Sequence, residues 1–191
     1  EFNRKMISST SNAKVKNIIN LKKSARARKK ENCFLVEGPR MFFEIPKDRI
    51  AECYLTEEFA DKYAEELKGW RYELMSENGC RHLSDTKTPQ GVIAVVRREE
   101  PSVEELLNKE KNPCFFLLEN LQDPGNLGTI IRTAEGAGVT GVIMNRDTVD
   151  IYNPKVIRST MGAIFRVPFV IVDSLPEVIS QLKQNSVAVY A

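Results

Sequence analysis

The second half of the chain alternates short apolar runs with stretches of helical character. Strands are predicted at 114–118, 139–144, 168–172 and 186–190, and helices at 127–137 and 176–184. Apolar runs this short suit strands that are buried on both faces of a sheet. Because strands that alternate with helices favour parallel pairing, the sequence predicts an α/β fold here.

The first half of the chain has the same mixed character and ends in a charged, broken stretch. Strands are predicted at 33–37, 50–55, 71–75 and 91–96, and helices after Ser9–Asn12, at 40–45 and at 57–68. The charged residues at 97–101 and a short acidic helix at 102–111, with Ser102 as its cap, separate the two halves. We therefore expect a domain at 1–98, a linker at 99–112 and a second domain at 113–191.

Composition excludes several classes of protein. The chain has 191 residues, 42% of them apolar and 28% charged, which is ordinary globular composition. No apolar run approaches the roughly 18 residues that span a bilayer, and the charged start does not resemble a secretory signal. Cys33, Cys53, Cys80 and Cys114 are far apart in sequence and His82 is the sole histidine, so no metal site is expected. Such spacing predicts free, mostly buried thiols and a cytoplasmic protein.

Positive charge is concentrated at the start of the chain. Residues 1–30 carry ten basic side chains and one acidic one, whereas the remainder carries 18 basic and 25 acidic side chains. A basic segment on an acidic body indicates a polyanionic partner, with RNA or DNA first. The alternative is a basic helix that serves only solubility.

The segment from Asn126 to Gly138 is the most informative for chemistry. On a helical wheel its apolar residues form one side, while Arg132 lies opposite with Gly128 and Gly136 four residues before and after it. Two glycines in a short helix cost roughly 1 kcal/mol each relative to alanine, so a compensating role is expected.

Two interpretations of these glycines stay open at this stage. They expose the Arg132 guanidinium to a ribose or phosphate, or they allow a close helix or subunit contact while Arg132 pairs with Glu135. Asn126 is expected to cap the helix in either case. The dinucleotide fingerprint, the P-loop and the G-x-S-x-G elbow are absent from the sequence.

These residues resemble a known family. The stretch Asn126-x-Gly128-x-x-x-Arg132-x-Ala134 resembles the first motif of the SpoU (TrmH) RNA ribose 2′-O-methyltransferases of the knotted SPOUT superfamily, and Ser159-x-x-Gly162-Ala163 is similar to a later segment. In the first half, Ser11-Asn12, Phe34–Gly38 and Thr88–Gly91 resemble the family's substrate-binding domain, which folds like a small ribosomal RNA-binding protein.

The resemblance implies transfer of a methyl group from S-adenosylmethionine to a ribose 2′-OH of structured RNA, with ribosomal RNA favoured. Arg132 would then contact the adjacent phosphate and the developing alkoxide, and Asn126 would order the loop. Ser159, Gly162 and Ala163 are candidate cofactor contacts. Candidate phosphate contacts are Lys14, Lys16, Arg26, Arg28 and Arg40.

The resemblance also implies a homodimer that forms through the second domain. Two further family motifs, which build the trefoil knot and most of the cofactor pocket, do not occur within residues 1–191. The resemblance therefore predicts a methyltransferase domain cut before its knot. The alternative is a non-catalytic RNA-binding protein or scaffold with an incomplete methyltransferase domain.

Overall fold

The structure is a computed structural model that describes residues 12–190. The chain forms two compact units. One comprises the residues up to Arg98 together with Tyr152–Pro154, and the other comprises Glu99–Ile151 together with the residues from Lys155 onward.

The first unit contains a four-stranded mixed sheet flanked by short helices. Its elements are α1 (Ala13–Lys23), α2 (Ala25–Glu31), β1 (Cys33–Glu37), α3 (Pro39–Phe42), β2 (Ile50–Leu55), α4 (Glu57–Lys62), β3 (Glu73–Leu74), α5 (Glu77–Leu83) and β4 (Val92–Arg97). The strand order is β1-β4-β2-β3, in which β4 is antiparallel to β1 and β2 while β3 is parallel to β2.

Side-chain caps define where the helices of this unit begin. The side chain of Asn12 accepts a hydrogen bond from the Lys14 amide at 2.9 Å, and Ser24, Thr56 and Ser76 cap α2, α4 and α5 in the same way. The inner side of α1, formed by Val15, Ile18 and Leu21, packs into a core with residues of β1, β2, β4 and α5. The amphipathic pattern of α1 thus covers one face of the sheet.

The second unit contains a parallel sheet with helical crossovers. Its elements are α6 (Val103–Leu107), β5 (Phe115–Leu118), α7 (Pro124–Ala137), β6 (Gly141–Asn145), α8 (Pro154–Thr160), β7 (Phe169–Val172) and α9 (Leu175–Gln184). The strand order is β5-β6-β7 and both pairs are parallel. The predicted α/β fold with a parallel sheet is therefore confirmed, as is the Ser102 cap, which forms a capping box with Glu105.

Several local predictions differ from the structure. The helix predicted at 57–68 ends at Lys62, and the helix predicted from Leu127 begins at Pro124. Helices α5 and α8 were not predicted. Residues 187–190 form no strand, so the strand predicted at 186–190 is wrong.

The failed strand has a local cause. Val187 donates its amide to the Leu182 carbonyl at 3.0 Å, and Ser186 adopts a left-handed φ of 63° that closes the end of α9. Helix closure thereby takes the first backbone donors of the segment. Val187 and Val189 instead bury apolar surface by packing against the core of the second unit.

Candidate functional site

Helix α7 begins after an aspartate cap, and a proline is its first residue. The Asp123 carboxylate accepts a hydrogen bond from the Asn126 amide at 2.7 Å, and Pro124 occupies the first helical position, where no amide donor is needed. Asp123 is therefore the N-cap, and the expectation that Asn126 fills this role is wrong. Asn126 lies in the first turn with an exposed side chain.

Arg132 lies on the exposed side of α7, six residues after Asn126. Within residues 12–190 its side chain makes no hydrogen bond and no ion pair. Glu135, the partner considered from sequence, binds Arg166 instead, and that contact lowers the pKa of the Glu135 carboxyl. The ion-pair interpretation of Arg132 is therefore wrong, and its guanidinium is available for an anion.

Gly128, which the helical wheel places beside Arg132 on the exposed face, is instead buried against α8, so that placement is wrong. A Cβ at this position would lie 2.9 Å from the main-chain carbon of Ser159 and closer still to the Ser159 side chain. The Ser159 hydroxyl lies 2.8 Å from the Val156 carbonyl oxygen and 3.2 Å from the Pro124 carbonyl oxygen, so its single proton is donated within this contact. Gly128 is thus a close-contact glycine, as one of the two interpretations proposed.

Gly136 has different surroundings. It is exposed, and no atom lies within 4 Å of the position that its Cβ would occupy. Nothing in the described chain therefore requires glycine here for packing. Gly136 leaves the surface one turn beyond Arg132 free of side-chain atoms, and its role in giving a ribose or phosphate access to Arg132 stays a prediction.

An amide clamp joins the loops that follow β5 and β6. Asn145 donates its side-chain amide to the Asn120 side chain at 2.6 Å, and the Asn120 backbone amide donates back to Asn145 Oδ1 at 2.9 Å. Thr148 donates its hydroxyl to the same Asn145 oxygen at 2.9 Å. Asn120 adopts a left-handed φ of 53°, which asparagine tolerates.

Sequence reasoning missed this clamp, although a signal for it exists. Asn120 and Asn145 each lie at the carboxyl end of a strand, and in parallel sheets such ends meet at one edge, where ligands bind. The clamp fixes the loop that leads to Asp123. It thereby holds the first turn of α7, including Asn126, at the carboxyl edge of the sheet.

The three candidate cofactor contacts lie beside α7 and are closely packed. Ala163 is fully buried, and Gly162 is buried with a positive φ of 97° at the start of a short 3-10 turn. The single proton of the Ser159 hydroxyl is already directed at neighbouring carbonyl groups. The side chains at 159–163 therefore support α7 and do not by themselves make a pocket for S-adenosylmethionine, so their contact with the cofactor stays a prediction.

A cavity of about 780 Å³ runs along β5. Its walls include Phe116 of β5, Ile130 and Thr133 of α7, and the segment Ser186–Tyr190. β5 pairs with β6 on one side, and all four of its residues are partly exposed, whereas the first four residues of β6 are buried. The cavity is thus an apolar groove at an edge strand, and Arg132 is not among the residues that line it.

The candidate phosphate contacts in the first unit divide into three groups. Lys16, Arg26 and Arg40 are exposed and make no hydrogen bond or ion pair within the described chain. Lys14 forms an ion pair with Glu73, and both side chains are 43% exposed. Arg28 is only 3% exposed.

The buried guanidinium of Arg28 has a structural role. It donates to the Leu21 carbonyl at 2.7 Å and to the Lys22 carbonyl at 3.2 Å, which are backbone acceptors at the end of α1. These bonds fix α2 against α1. The expectation that Arg28 contacts phosphate is therefore corrected, because its donors already serve the fold.

A hydrogen-bond network joins the end of β1, just before Arg40, to the loop that contains Asp85 and Thr86. Glu37, at the end of β1, accepts hydrogen bonds from the Asp85 amide at 3.1 Å and from the Thr86 hydroxyl at 3.1 Å. Next to it, Gly38 has a φ of 89°, and a Cβ there would lie 2.7 Å from the Gln90 side-chain oxygen. Arg40 thus projects from a helix start that is fixed to a neighbouring loop.

The cysteines are all free, and they differ in exposure. Burial raises the pKa of Cys53 to about 12 and that of Cys80 to about 11, so both stay protonated at neutral pH. Cys114 is exposed. Residues 12–190 bring together no group of three or more His, Cys, Asp or Glu side chains that suits a metal ion. No helix in this part of the chain is long and apolar enough to cross a membrane.

Comparison with known families divides the chain in two. Residues 113–191 match the SpoU rRNA Methylase family, and residues 12–94 match the MRM3-like substrate binding domain. The chain is similar to 23S rRNA (guanosine(2553)-2′-O)-methyltransferase RlmP of Bacillus subtilis, with 35% identity over 189 residues, which cover 97% of this chain and 72% of that protein. It is also similar to the human mitochondrial rRNA methyltransferase 3, with 32% identity over 170 residues. That match covers 82% of this chain and 39% of the human protein.

Solved structures show the same architecture. The SpoU methyltransferase AviRb from Streptomyces viridochromogenes, in complex with the cofactor AdoMet, superposes with a TM-score of 0.79 at 26% identity, covering 92% of this chain and 68% of that one. An rRNA methyltransferase from Sinorhizobium meliloti superposes with a TM-score of 0.76 at 25% identity, covering 93% and 68%.

Proposed function

Because the chain belongs to the SpoU family of rRNA methyltransferases, we propose that it binds ribosomal RNA and positions a ribose 2′-OH for methyl transfer from S-adenosylmethionine. The observation that carries this assignment is the exposed Arg132, which has no partner within residues 12–190 and lies on a helix whose inner side is tightly packed. The chain spans 72% of the Bacillus relative and 39% of the human one, so the activity of the whole protein belongs to this proposal.

The two halves of the chain have separate roles in this proposal. Residues 1–98 bind RNA, residues 99–112 connect, and residues 113–191 form the first part of a methyltransferase domain of the SPOUT type. Exposed Lys16, Arg26 and Arg40 contact phosphates, and such contacts position RNA without reading its sequence. Lys14 joins them when RNA competes with Glu73 for its ammonium group.

The reaction is an in-line displacement in which positioning supplies much of the rate. S-adenosylmethionine, when bound, supplies an activated methyl group. As the ribose 2′-oxygen would bond to the methyl carbon, the bond from that carbon to the sulfonium sulfur would break, S-adenosylhomocysteine would leave and the 2′-hydroxyl proton would pass to water. Arg132 does not take that proton, because a guanidinium keeps its own at any physiological pH.

Arg132 acts as a hydrogen-bond donor in this scheme. Its planar fork suits the phosphate next to the reacting ribose, and its charge stabilises the alkoxide that develops on the 2′-oxygen. Asn126 lies about 9 Å earlier along the helix axis, at the carboxyl edge of the sheet, where its exposed amide orients the neighbouring loop. Gly136 leaves room for the RNA backbone beside Arg132.

The proposal also covers assembly and location. Family membership supports a homodimer formed through the second domain, and four free thiols suit a reducing cytoplasm. One observation favours a second candidate, a non-catalytic RNA-binding scaffold. The side chains at 159–163 are packed against α7 and form no cofactor pocket among the described residues.

Two measurements separate the candidates. The first is calorimetric titration of S-adenosylmethionine into the 191-residue chain, and the second is transfer of a radiolabelled methyl group to ribosomal RNA, followed by mass spectrometry of the nucleosides. Cofactor binding together with a 2′-O-methylated nucleoside supports the enzyme. RNA binding without cofactor binding or transfer contradicts it for this chain and supports the scaffold.

A further inference from the structure

The first unit contains a second cavity, at the end of the sheet where β2 begins and β4 ends. Its volume is about 380 Å³, which lies in the range of small-ligand pockets. Its lining includes Lys47, Trp70, Arg71 and Arg97, together with Glu52 and Ile50. None of these residues belongs to the motifs that indicated RNA binding in the sequence.

The charge of this cavity favours an anion. Three basic side chains line it against one carboxylate, that of Glu52, which accepts a hydrogen bond from the Tyr54 hydroxyl. Arg97 is held in place, because its Nη1 donates to the Asp48 carbonyl at 3.0 Å and its own carbonyl accepts from Arg49 at 2.8 Å. Arg71 is exposed and makes no hydrogen bond or ion pair within residues 12–190.

An aromatic ring accompanies the positive charges. The ammonium group of Lys47 lies 5.0 Å from the centroid of the Trp70 ring, and the Phe42 ring packs 4.7 Å from that centroid. The Trp70 indole N–H is buried and lacks a hydrogen-bond partner in the described structure. An aromatic ring beside basic side chains is the combination that proteins use to bind single-stranded nucleic acid, because bases stack on the ring while cations hold the phosphates.

We propose that the Lys47–Trp70–Arg71–Arg97 cavity binds one nucleotide of a single-stranded segment of the RNA substrate. The base stacks on Trp70 and displaces Lys47 from the ring. Lys47 and Arg71 then contact the flanking phosphates, while Arg97 forms the fixed positive wall. This site deepens the proposed function, since it rests on the first unit binding RNA.

The exchange of Lys47 for a base is energetically reasonable. A cation–π contact at an exposed position is weak, whereas stacking of a base on an aromatic side chain is stronger and does not depend on the base sequence. The displaced ammonium group gains a phosphate partner. The free protein therefore keeps the ring covered until RNA is present.

The test uses the sole tryptophan of the chain as its probe. Hexauridylate, which has little structure of its own, is titrated into the 191-residue chain at low salt while Trp70 emission is recorded. We expect saturable quenching by hexauridylate and much weaker binding of uridine monophosphate. Equal affinity for the monophosphate would overturn the assignment to an RNA strand.

Matched variants locate the site. K47A/R71A removes two cavity cations, and K62A/K68A removes two cations that lie outside the cavity, on Tyr63 and Glu65. We expect about tenfold weaker binding of fluorescently labelled hexauridylate and a lower salt dependence for the first variant only. W70F, which keeps a ring, should retain more affinity than W70A.

The outcomes distinguish this site from the proposed function as a whole. RNA binding with unchanged Trp70 emission, and equal affinities for the two double variants, would overturn the cavity and leave RNA binding by the first unit intact. No binding of hexauridylate or ribosomal RNA by the unmodified chain would overturn both.

Discussion

Helix α7 has a glycine on its buried side and another on its exposed side, and the two have opposite surroundings. On the inner side Gly128 is pressed against Ser159 of α8, and Leu127, Ile131 and Ala134 are fully buried. On the outer side Gly136 meets no atom within 4 Å, and Arg132 has no partner within residues 12–190. One glycine therefore serves packing, whereas the other leaves open space beside an exposed arginine.

Under the proposed function, this difference separates residues that support the fold from residues that act on the substrate, within one helix. The inner side fixes the position of α7, and the outer side presents a guanidinium whose position is thereby fixed. Substitutions on the outer side should change activity without unfolding the protein. Substitutions on the inner side should lower the free energy of unfolding first.

The largest expected effect is on catalysis. Arg132→Ala should lower the rate of methyl transfer to ribosomal RNA by about 100- to 1000-fold, because a preorganised donor to the developing alkoxide is lost. Cofactor affinity and the melting temperature should stay nearly unchanged. Calorimetry and thermal unfolding test these two points. Arg146→Ala, which removes another exposed arginine of the same unit, is the matched control.

Loss of cofactor affinity equal to the loss of rate would contradict the role given to Arg132. It would mean that the arginine shapes the cofactor site and does not act on the ribose. The comparison of the two sides of α7 would then no longer separate chemistry from support.

The next effect is on stability. Gly128→Ala should lower the free energy of unfolding by about 1–3 kcal/mol, because the new methyl group overlaps Ser159 and forces α7 away from α8. Urea unfolding measures this difference. Gly128→Ala combined with Ser159→Gly should recover part of the loss, whereas additive losses would show that the two residues do not compete for the same space.

The same substitution on the outer side should have the opposite sign. Gly136→Ala should raise the free energy of unfolding by about 0.5–1 kcal/mol, since alanine favours the helix and its methyl group meets no neighbour. If Gly136 makes room for RNA, the variant should also bind or methylate ribosomal RNA less well. A stabilised variant with unchanged activity would remove Gly136 from the proposed site.

The smallest effect concerns the ion pair on the outer side. Arg166 lowers the pKa of the Glu135 carboxyl, so the pair stabilises the fold above the ordinary carboxyl pKa and loses this contribution as the pH falls through the lowered value. Glu135→Gln should cost at most about 1 kcal/mol at neutral pH, because both groups are partly exposed. The difference in unfolding free energy should shrink as the pH falls below the ordinary carboxyl range and through the lowered pKa of Glu135.

Different elements show where sequence reasoning succeeds. Strands β1, β2, β4, β5, β6 and β7 and the body of α7 were predicted, because their apolar patterns reflect burial that each segment needs on its own. The sequence did not predict the helix start at Asp123, which depends on the hydrogen bond from the Asn126 amide to the cap. It also did not predict that residues 186–190 form no strand, where Val187 bonds to the end of α9.

The candidate site was only partly readable from the sequence. The helical wheel correctly predicted that Arg132 is exposed on α7, and its role in the site stays a prediction. The Asn120–Asn145 clamp was not found, because it joins residues 25 positions apart whose separate contexts look like ordinary loops. Arg28 was misassigned because a basic residue in a basic stretch gives no sign that its donors are spent on the Leu21 and Lys22 carbonyls.

The sequence by itself determined the two-part α/β organisation, the family and the face of α7 that carries Arg132. These depend on local periodicity and on short motifs, which are visible one segment at a time. Only the tertiary structure decided which glycine packs against another helix, which basic side chain is buried and which apolar segments pair as strands in a sheet. These outcomes depend on which residue packs against each position. Close packing brings that neighbour from a distant part of the chain, where a local pattern cannot show it.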